Sequence, residues 1–280
     1  MVVCRAVPFR FTQVVSDVDD TLKSSGGVAI AGIALGGIDV QYDRGDFYPG
    51  VGEFMLALSR HGLPPTETPA KIAILTARAE EFKAALEIKP DSKLAVALRT
   101  AGEAAGIAGW GVGPVLYGSV AEWIDQSNKG LRKFTNFEKL LRQDPTGSIF
   151  RYVYVGDTGE LDQEAGETML REYPDLVEAV FLHVVTDDPA GPPFLPDPRL
   201  VRGRPVVFFR TYVGAAVDAV RLGLMDGDGL RSVITAAISK LETVPETSSK
   251  WTDLRKDLAR AELVLLEEEE EFEDGAKPWR

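Results

Sequence analysis

The chain has 280 residues, 45% hydrophobic and 26% charged, enough apolar material for one large or two modest globular domains. Its formal net charge of -12 argues against nucleic acid as a partner and gives no attraction to anionic membranes. Cys4 is the only cysteine, so no intrachain disulfide can form. Residues 1–15 lack the basic start, apolar core and cleavage site of a secretory signal, and a cytoplasmic location is expected.

In chain order, the β-branched run Phe11–Ser16 reads as a buried strand, and Asp17-Val18-Asp19-Asp20-Thr21 follows it directly. Three carboxylates and a hydroxyl in five residues repel one another unless a cation neutralises them, and hard oxygen ligands of this kind suit Mg²⁺. A plain turn is the competing reading, since Asp and Thr also close turns. Gly27–Ile38 is apolar with Gly32 and Gly36 at GxxxG spacing, but its 12 residues are fewer than the ~20 that cross a bilayer. It reads as a glycine-rich loop or small cap. A helix is predicted over Val51–Arg60, with His61 as its C-terminal cap, and a second strand over Lys71–Leu75 runs into Thr76-Ala77-Arg78.

Helices are expected over Glu80–Ile88 and Ala95–Ala105, and a short strand over Val115–Tyr117. Gly106–Gly118 holds five glycines and Trp110. Lys133 opens a helical pattern with Phe134, Phe137 and Leu141 on one face. A cation near a helix start does not suit the helix dipole, so it needs another reason, such as a phosphate. Phe150–Val155 reads as a strand running into Gly156-Asp157-Thr158-Gly159-Glu160-Leu161-Asp162, again acids after a strand. Strands over Ala179–Thr186 and Val206–Phe209, an irregular loop over Asp187–Pro198 and a helix over Val213–Leu222 complete the alternation. His183 falls within the strand pattern and reads as a core residue. Strands alternating with helices predict a parallel sheet with helices on both faces. Lys250–Phe272 is helical in pattern and carries five consecutive acids, Glu267–Glu271, the mark of a solvated helix end or tail.

Four pieces in this order, strand-DxDxT, strand-Thr, Lys on a helix and strand-GD with a further acid, resemble the haloacid-dehalogenase-like hydrolase superfamily. Ser16-Asp17-Val18-Asp19-Asp20-Thr21-Leu22-Lys23, Tyr48-Pro49-Gly50-Val51 and Gly156–Asp162 are more closely similar to the phosphatidate phosphatase catalytic domain of the actin-patch-associated type. Leu75-Thr76-Ala77-Arg78-Ala79 resembles the lipin catalytic domain. Glu160 stands where that family carries an amide, and Ala79–Asn128 matches no segment of it.

The resemblance implies an α/β, Rossmann-like parallel sheet in a catalytic domain over 1–245, with small cap insertions at 24–50 and 79–128, followed by a helix and acidic tail over 246–280. It also implies a Mg²⁺-dependent phosphatase acting on a phosphate monoester through an aspartyl-phosphate. Asp17 is then the nucleophile and Asp19 the general acid and base. Thr76 and Lys133 bind phosphate, with Lys133 favoured over Lys129 by its spacing from Pro145 and Asp157. Mg²⁺ is held by Asp17, the Asp19 main-chain carbonyl, Asp157 and Asp162.

Asp20 either caps the next segment or supports the metal's water shell. Arg78 either extends phosphate binding or pairs with Glu80 or Glu81. Phosphatidate is the substrate implied by the nearer resemblance, which would bring the protein to membrane surfaces as a peripheral protein. The alternatives are a soluble phosphate ester, a phosphoprotein, or a binding protein that keeps the fold without turnover. Trp110 or the Gly26–Ile38 segment is expected to touch the substrate or the membrane surface, the competing reading being that Trp110 is a core anchor.

Overall fold

In the computed structural model, the residues described are 11–27, 29–30, 33–34, 37–79, 88–118, 129–144, 147–159, 161–188 and 194–275. The strands are β1 (Phe11–Ser16), β2 (Ala29–Ile30), β3 (Ile33–Ala34), β4 (Ile72–Ala79), β5 (Val112–Gly118), β6 (Ile149–Asp157), β7 (Val177–His183), β8 (Arg199–Val201) and β9 (Arg204–Phe209). The helices are α1 (Val51–Arg60), α2 (Lys93–Ala104), α3 (Lys129–Arg142), α4 (Asp162–Glu172), α5 (Tyr212–Arg221), α6 (Gly227–Leu241) and α7 (Ser249–Gly275).

Seven strands form one open sheet in the order β5-β4-β1-β6-β7-β9-β8. Every pairing in it is parallel except β8 with β9. The central strands β1 and β6 are buried on both sides along most of their length, through Val14-Val15 and Tyr152–Val155, as a sheet covered on two faces requires. One face packs Val14, Ile72, Ile74, Val153 and Phe181 against α1, α2, α5, α6 and α7. The other packs Val15, Leu75, Tyr154 and Val180 against Phe137 and Leu140 of α3 and Met169 and Leu170 of α4. Period-2 alternation along each strand thus sorts its side chains into two cores. The predicted parallel sheet with helices on both faces is present.

Boundaries differ from expectation in instructive places. β4 continues through Thr76-Ala77-Arg78 rather than stopping before them, because β5 pairs with it as far as Ala79 and Gly118. α4 and α6 carry no strong expectation in the sequence: α4 begins on Asp162 and contains Gly166, and α6 begins on Gly227. Gly166 is forced by packing, since a Cβ there would lie 2.7 Å from Val180 Cγ1 and 3.0 Å from Tyr154 Cδ1. The expected helix over Glu80–Ile88 and the Glu160 position lie almost wholly outside the described residues.

The acidic run of the C-terminal helix is largely at the surface, as expected, with Glu267, Glu269 and Glu270 exposed, while the helix ahead of it is docked. Leu254, Ala261 and Val264 of α7 are buried in the larger core, and Arg260 bridges Asp218 of α5 at 2.7 Å and Asp257 at 2.9 Å. Trp110 is 1% exposed and donates its indole N–H to the Ala70 carbonyl at 3.1 Å. It precedes β5 and packs beside the start of β4, at the N-terminal end of the strands. The acid motifs lie at the opposite, C-terminal end. Trp110 is therefore a core anchor and does not stand over the candidate site.

Candidate active site

The geometry begins with strand register. Ser16 pairs with Ile74 of β4 on one side and Val155 of β6 on the other. The Asp17 N–H still donates to the Val155 carbonyl at 3.1 Å, so the chain leaves the sheet only after Asp17. Thr76 and Asp157 lie two residues beyond these partners on the two flanking strands. Sheet order alone thus gathers Asp17, Thr76 and Asp157 at one edge, where parallel α/β sheets keep their sites. Asp17 is 4% exposed, Thr76 2% and Asp157 0%.

Asp162 reaches the same place from the first turn of α4, folding back over Gly156. A Cβ on Gly156 would lie 2.7 Å from Asp162 Cβ, so this glycine is required for the acid's approach. Asp162 Oδ2 accepts the Asp157 N–H at 3.3 Å, which also suits a carboxylate at a helix N-terminus. Asp157 Oδ1 accepts the Gly159 N–H at 2.7 Å, and its Oδ2 accepts the Thr21 hydroxyl at 3.4 Å. Carboxylate oxygens of Asp17, Asp157 and Asp162 come within 4.8 Å of one another, all three side chains buried.

Lys133 of α3 supplies positive charge. Its Nζ lies 3.2 Å from Asp17 Oδ1 and also ion-pairs with Asp162 Oδ1, at 2% exposure. α3 already includes Lys129, so Lys133 lies a full turn inside it, and its direction is set by Phe137 and Leu140 packing on the sheet. Three buried carboxylates against this lysine leave a net negative centre among the described residues. Such a cluster is costly unless a further cation joins it, and an all-oxygen donor set fits a hard divalent ion such as Mg²⁺.

The remaining predicted residues fall around this centre. Asp19 is partly accessible, its side chain 18% exposed, and pairs with Lys23 at 3.3 Å. Asp20 is fully buried and clamps the backbone of the following segment. It accepts N–H groups from Ser25 at 2.7 Å, Ile38 at 2.5 Å and Asp39 at 2.8 Å. Burial pushes its carboxyl above the ordinary range, opposed by those hydrogen bonds. Its φ of 60° lies in the left-handed region, which Asp tolerates better than most residues. Of the two roles the sequence allows Asp20, this is the structural one. The side chains of Arg78 and Lys129 lie outside the description.

Sequence reasoning missed the support beneath the motif loop. His183 ends β7, 4% exposed, with Nδ1 2.8 Å from the Asp20 carbonyl and Nε2 3.2 Å from that of Arg210. Burial lowers its pKa, against the pull of these carbonyls. Tyr48 packs edge-on against His183, with ring centroids 4.3 Å apart, and donates its hydroxyl to Asp39 Oδ2 at 2.8 Å. Tyr212 donates to the Thr21 carbonyl at 2.6 Å. Tyr48 carries a sequence signal through Tyr48-Pro49-Gly50, and His183 is the core strand residue that its pattern predicts. His183 and Tyr212 arrive by long-range packing.

Comparison with protein-family models, with curated proteins and with solved structures gives no match to this chain.

Proposed function

We propose that this protein is a Mg²⁺-dependent phosphatase that hydrolyses a phosphate monoester through a covalent phosphate on Asp17. The observation that carries this reading is the meeting of Asp17, Asp157, Asp162 and Lys133, delivered by β1, β6, α4 and α3 to one buried point. Asp17, Asp157, Asp162 and the Asp19 main-chain carbonyl would hold Mg²⁺. When bound, the ion would neutralise phosphate charge that otherwise repels an attacking carboxylate.

An Asp17 carboxylate oxygen attacks phosphorus, and the bond from phosphorus to the leaving oxygen breaks. Asp19 delivers a proton to that oxygen as the alcohol departs. Asp19 then takes a proton from a water that attacks the same phosphorus. The bond to Asp17 breaks, releasing inorganic phosphate and restoring the free carboxylate. Lys133 and Thr76 hold phosphate oxygens throughout. The partial accessibility of Asp19 supports this assignment, since the water and the leaving alcohol must both reach it.

The motif resemblance to the haloacid-dehalogenase-like superfamily supports the same chemistry, and its nearer branch points to phosphatidate. The burial of Trp110 at the far end of the sheet removes one argument for a lipid and keeps a soluble ester as the second reading. Turnover of p-nitrophenyl phosphate and of phosphatidate in mixed micelles, each with Mg²⁺ and with EDTA, tests both. Chelator should abolish hydrolysis and Mg²⁺ restore it. Asp17→Asn should abolish it while the protein still melts cooperatively. Full activity of Asp17→Asn, or indifference to chelator, would overturn the mechanism. Cleavage of only the soluble ester would remove phosphatidate.

A further inference from the structure

A second cavity lies at the opposite end of the sheet, with a volume of about 370 Å³. That is the size of pockets that hold small molecules. Its charged walls are Lys71, Lys89 and Arg99, and its apolar walls include Ile88, Val112 and Trp110. Among the described residues that line it there is no carboxylate, in a chain whose net charge is -12. Glu103 approaches Arg99 Nε at 3.8 Å from the exposed side of α2 and leaves Lys71 and Lys89 uncompensated by any ion pair described. Lys71 and Thr76 are five residues apart along one chain, roughly 16 Å at the rise of a β-strand. The cavity is therefore separate from the Asp17 centre.

The walls are held in place. Arg99 Nη1 donates to the Pro90 carbonyl at 3.1 Å, tying the guanidinium to the 88–90 segment. The Ile88 N–H donates to the Tyr117 hydroxyl at 2.9 Å, tying the 88–90 segment to β5. Trp110, almost wholly buried, backs the cavity and is anchored to Ala70. Gly113 lets β5 lie close against β4, since a Cβ there would lie 2.9 Å from Lys71 Cβ and 3.2 Å from the Ile72 carbonyl oxygen. Three cationic side chains beside the apolar walls of Ile88, Val112 and Val115 match a ligand with an anionic head and a compact apolar body.

We propose that this cavity binds a small organic anion of that kind, an aromatic or short-chain sulfonate, carboxylate or phosphate. The probe is 1-naphthalenesulfonate, which offers no phosphate bond to cleave, titrated into the full chain in chelator. The readout is the ¹H–¹⁵N signal of the Trp110 indole, assigned with Trp110→Phe. The anion should shift this signal saturably, and raising salt should weaken binding. Uncharged 1-naphthalenemethanol should bind about tenfold more weakly or worse, the loss of one charge-assisted contact. Lys71→Gln/Arg99→Gln should weaken the sulfonate by a similar factor without changing the melting temperature. Asp17→Asn should leave it unchanged, which separates this cavity from the proposed catalytic centre. An indole signal that does not move, or equal affinity for the sulfonate and the alcohol, would overturn the proposal. So would equal sulfonate affinity in wild type and a folded double variant. Should the double variant unfold, the salt and alcohol titrations on wild type decide.

Discussion

Lys133 is the residue on which the site's stability turns. Its ammonium faces Asp17 and Asp162, with both partners buried. Removing one side of a buried ion pair costs about 3–5 kcal/mol, because the other side keeps its charge without compensation. Lys133→Met should therefore lower the melting temperature in EDTA. If the acids also hold a cation, Mg²⁺ should raise the melting temperature of the variant more than that of wild type. Equal melting temperatures in EDTA would show that Lys133 does not compensate the acids. His61 bears on pH. Burial first, and then the charge of Arg151, hold its pKa below the ordinary 6.5. As pH falls through 6.5 the unfolded chain takes up a proton that the folded chain refuses, so this residue's contribution to stability is lost toward acid. Urea unfolding between about pH 7.5 and about pH 5.5 should show wild type losing stability relative to His61→Gln, with a slope no steeper than about 1.4 kcal/mol per pH unit for one proton. A parallel pair of curves would place His61 in an environment no drier than water.

At the scale of elements, helix α1 shows how a site's scaffold depends on one backbone conformation. Gly50 precedes it with φ of 80°, and a Cβ there would sit 2.9 Å from the Val233 carbonyl oxygen and 3.0 Å from its Cγ1 in α6. The left-handed turn both starts α1 and lets α6 pack onto it. Tyr48, two residues earlier, reaches Asp39 and the His183 ring, so the same turn aims a support of the motif loop. Gly50→Ala should destabilise by about 1–3 kcal/mol through strain and displaced packing. Denaturant unfolding checks this, and a loss below the error of the measurement would mean that α1 and α6 part easily. At α4 the element and the site coincide, for Asp162 is at once a first-turn residue favoured by the helix dipole and one of the three converging carboxylates.

Across the whole molecule, α7 closes the larger core from the far side of α5. Thr211 donates to Asp257 at 2.7 Å, Arg260 joins α5 to α7, and Leu254, Ala261 and Val264 are buried. The acidic run that follows is partly docked. Burial and Asp226 raise the pKa of Glu268, while the Gly227 N–H at the start of α6 opposes the rise. Deleting residues 249–280 should therefore leave an insoluble or poorly cooperative chain by exposing this apolar seam. Deleting only 271–280 should leave the melting transition close to that of the full chain. Circular dichroism melts of both truncations decide, and a stable product of the longer deletion would contradict the packing described.

The sequence by itself determined the local pieces: the parallel strands of the sheet to within a few residues, the acids placed directly after β1 and at the end of β6, and the α/β alternation. These follow from period-2 burial and from turn chemistry, which act over a few residues. Asp17, Lys133, Asp157 and Asp162, which the structure brings together, each stand beside such a local signal. What only the tertiary structure decided was who meets whom. β5 lengthened β4 past Thr76, Gly156 admitted Asp162, and Asp20 was spent on holding the backbone of Ser25, Ile38 and Asp39. His183 came to brace a loop 163 residues away in sequence. Trp110 gave no local sign of which end of the sheet it would occupy. That was set by β5 pairing parallel to β4, which carries the residues before the strand to the end opposite the acids. Contacts of this kind depend on sheet order and on burial shared between distant segments, and no window of the chain contains both partners.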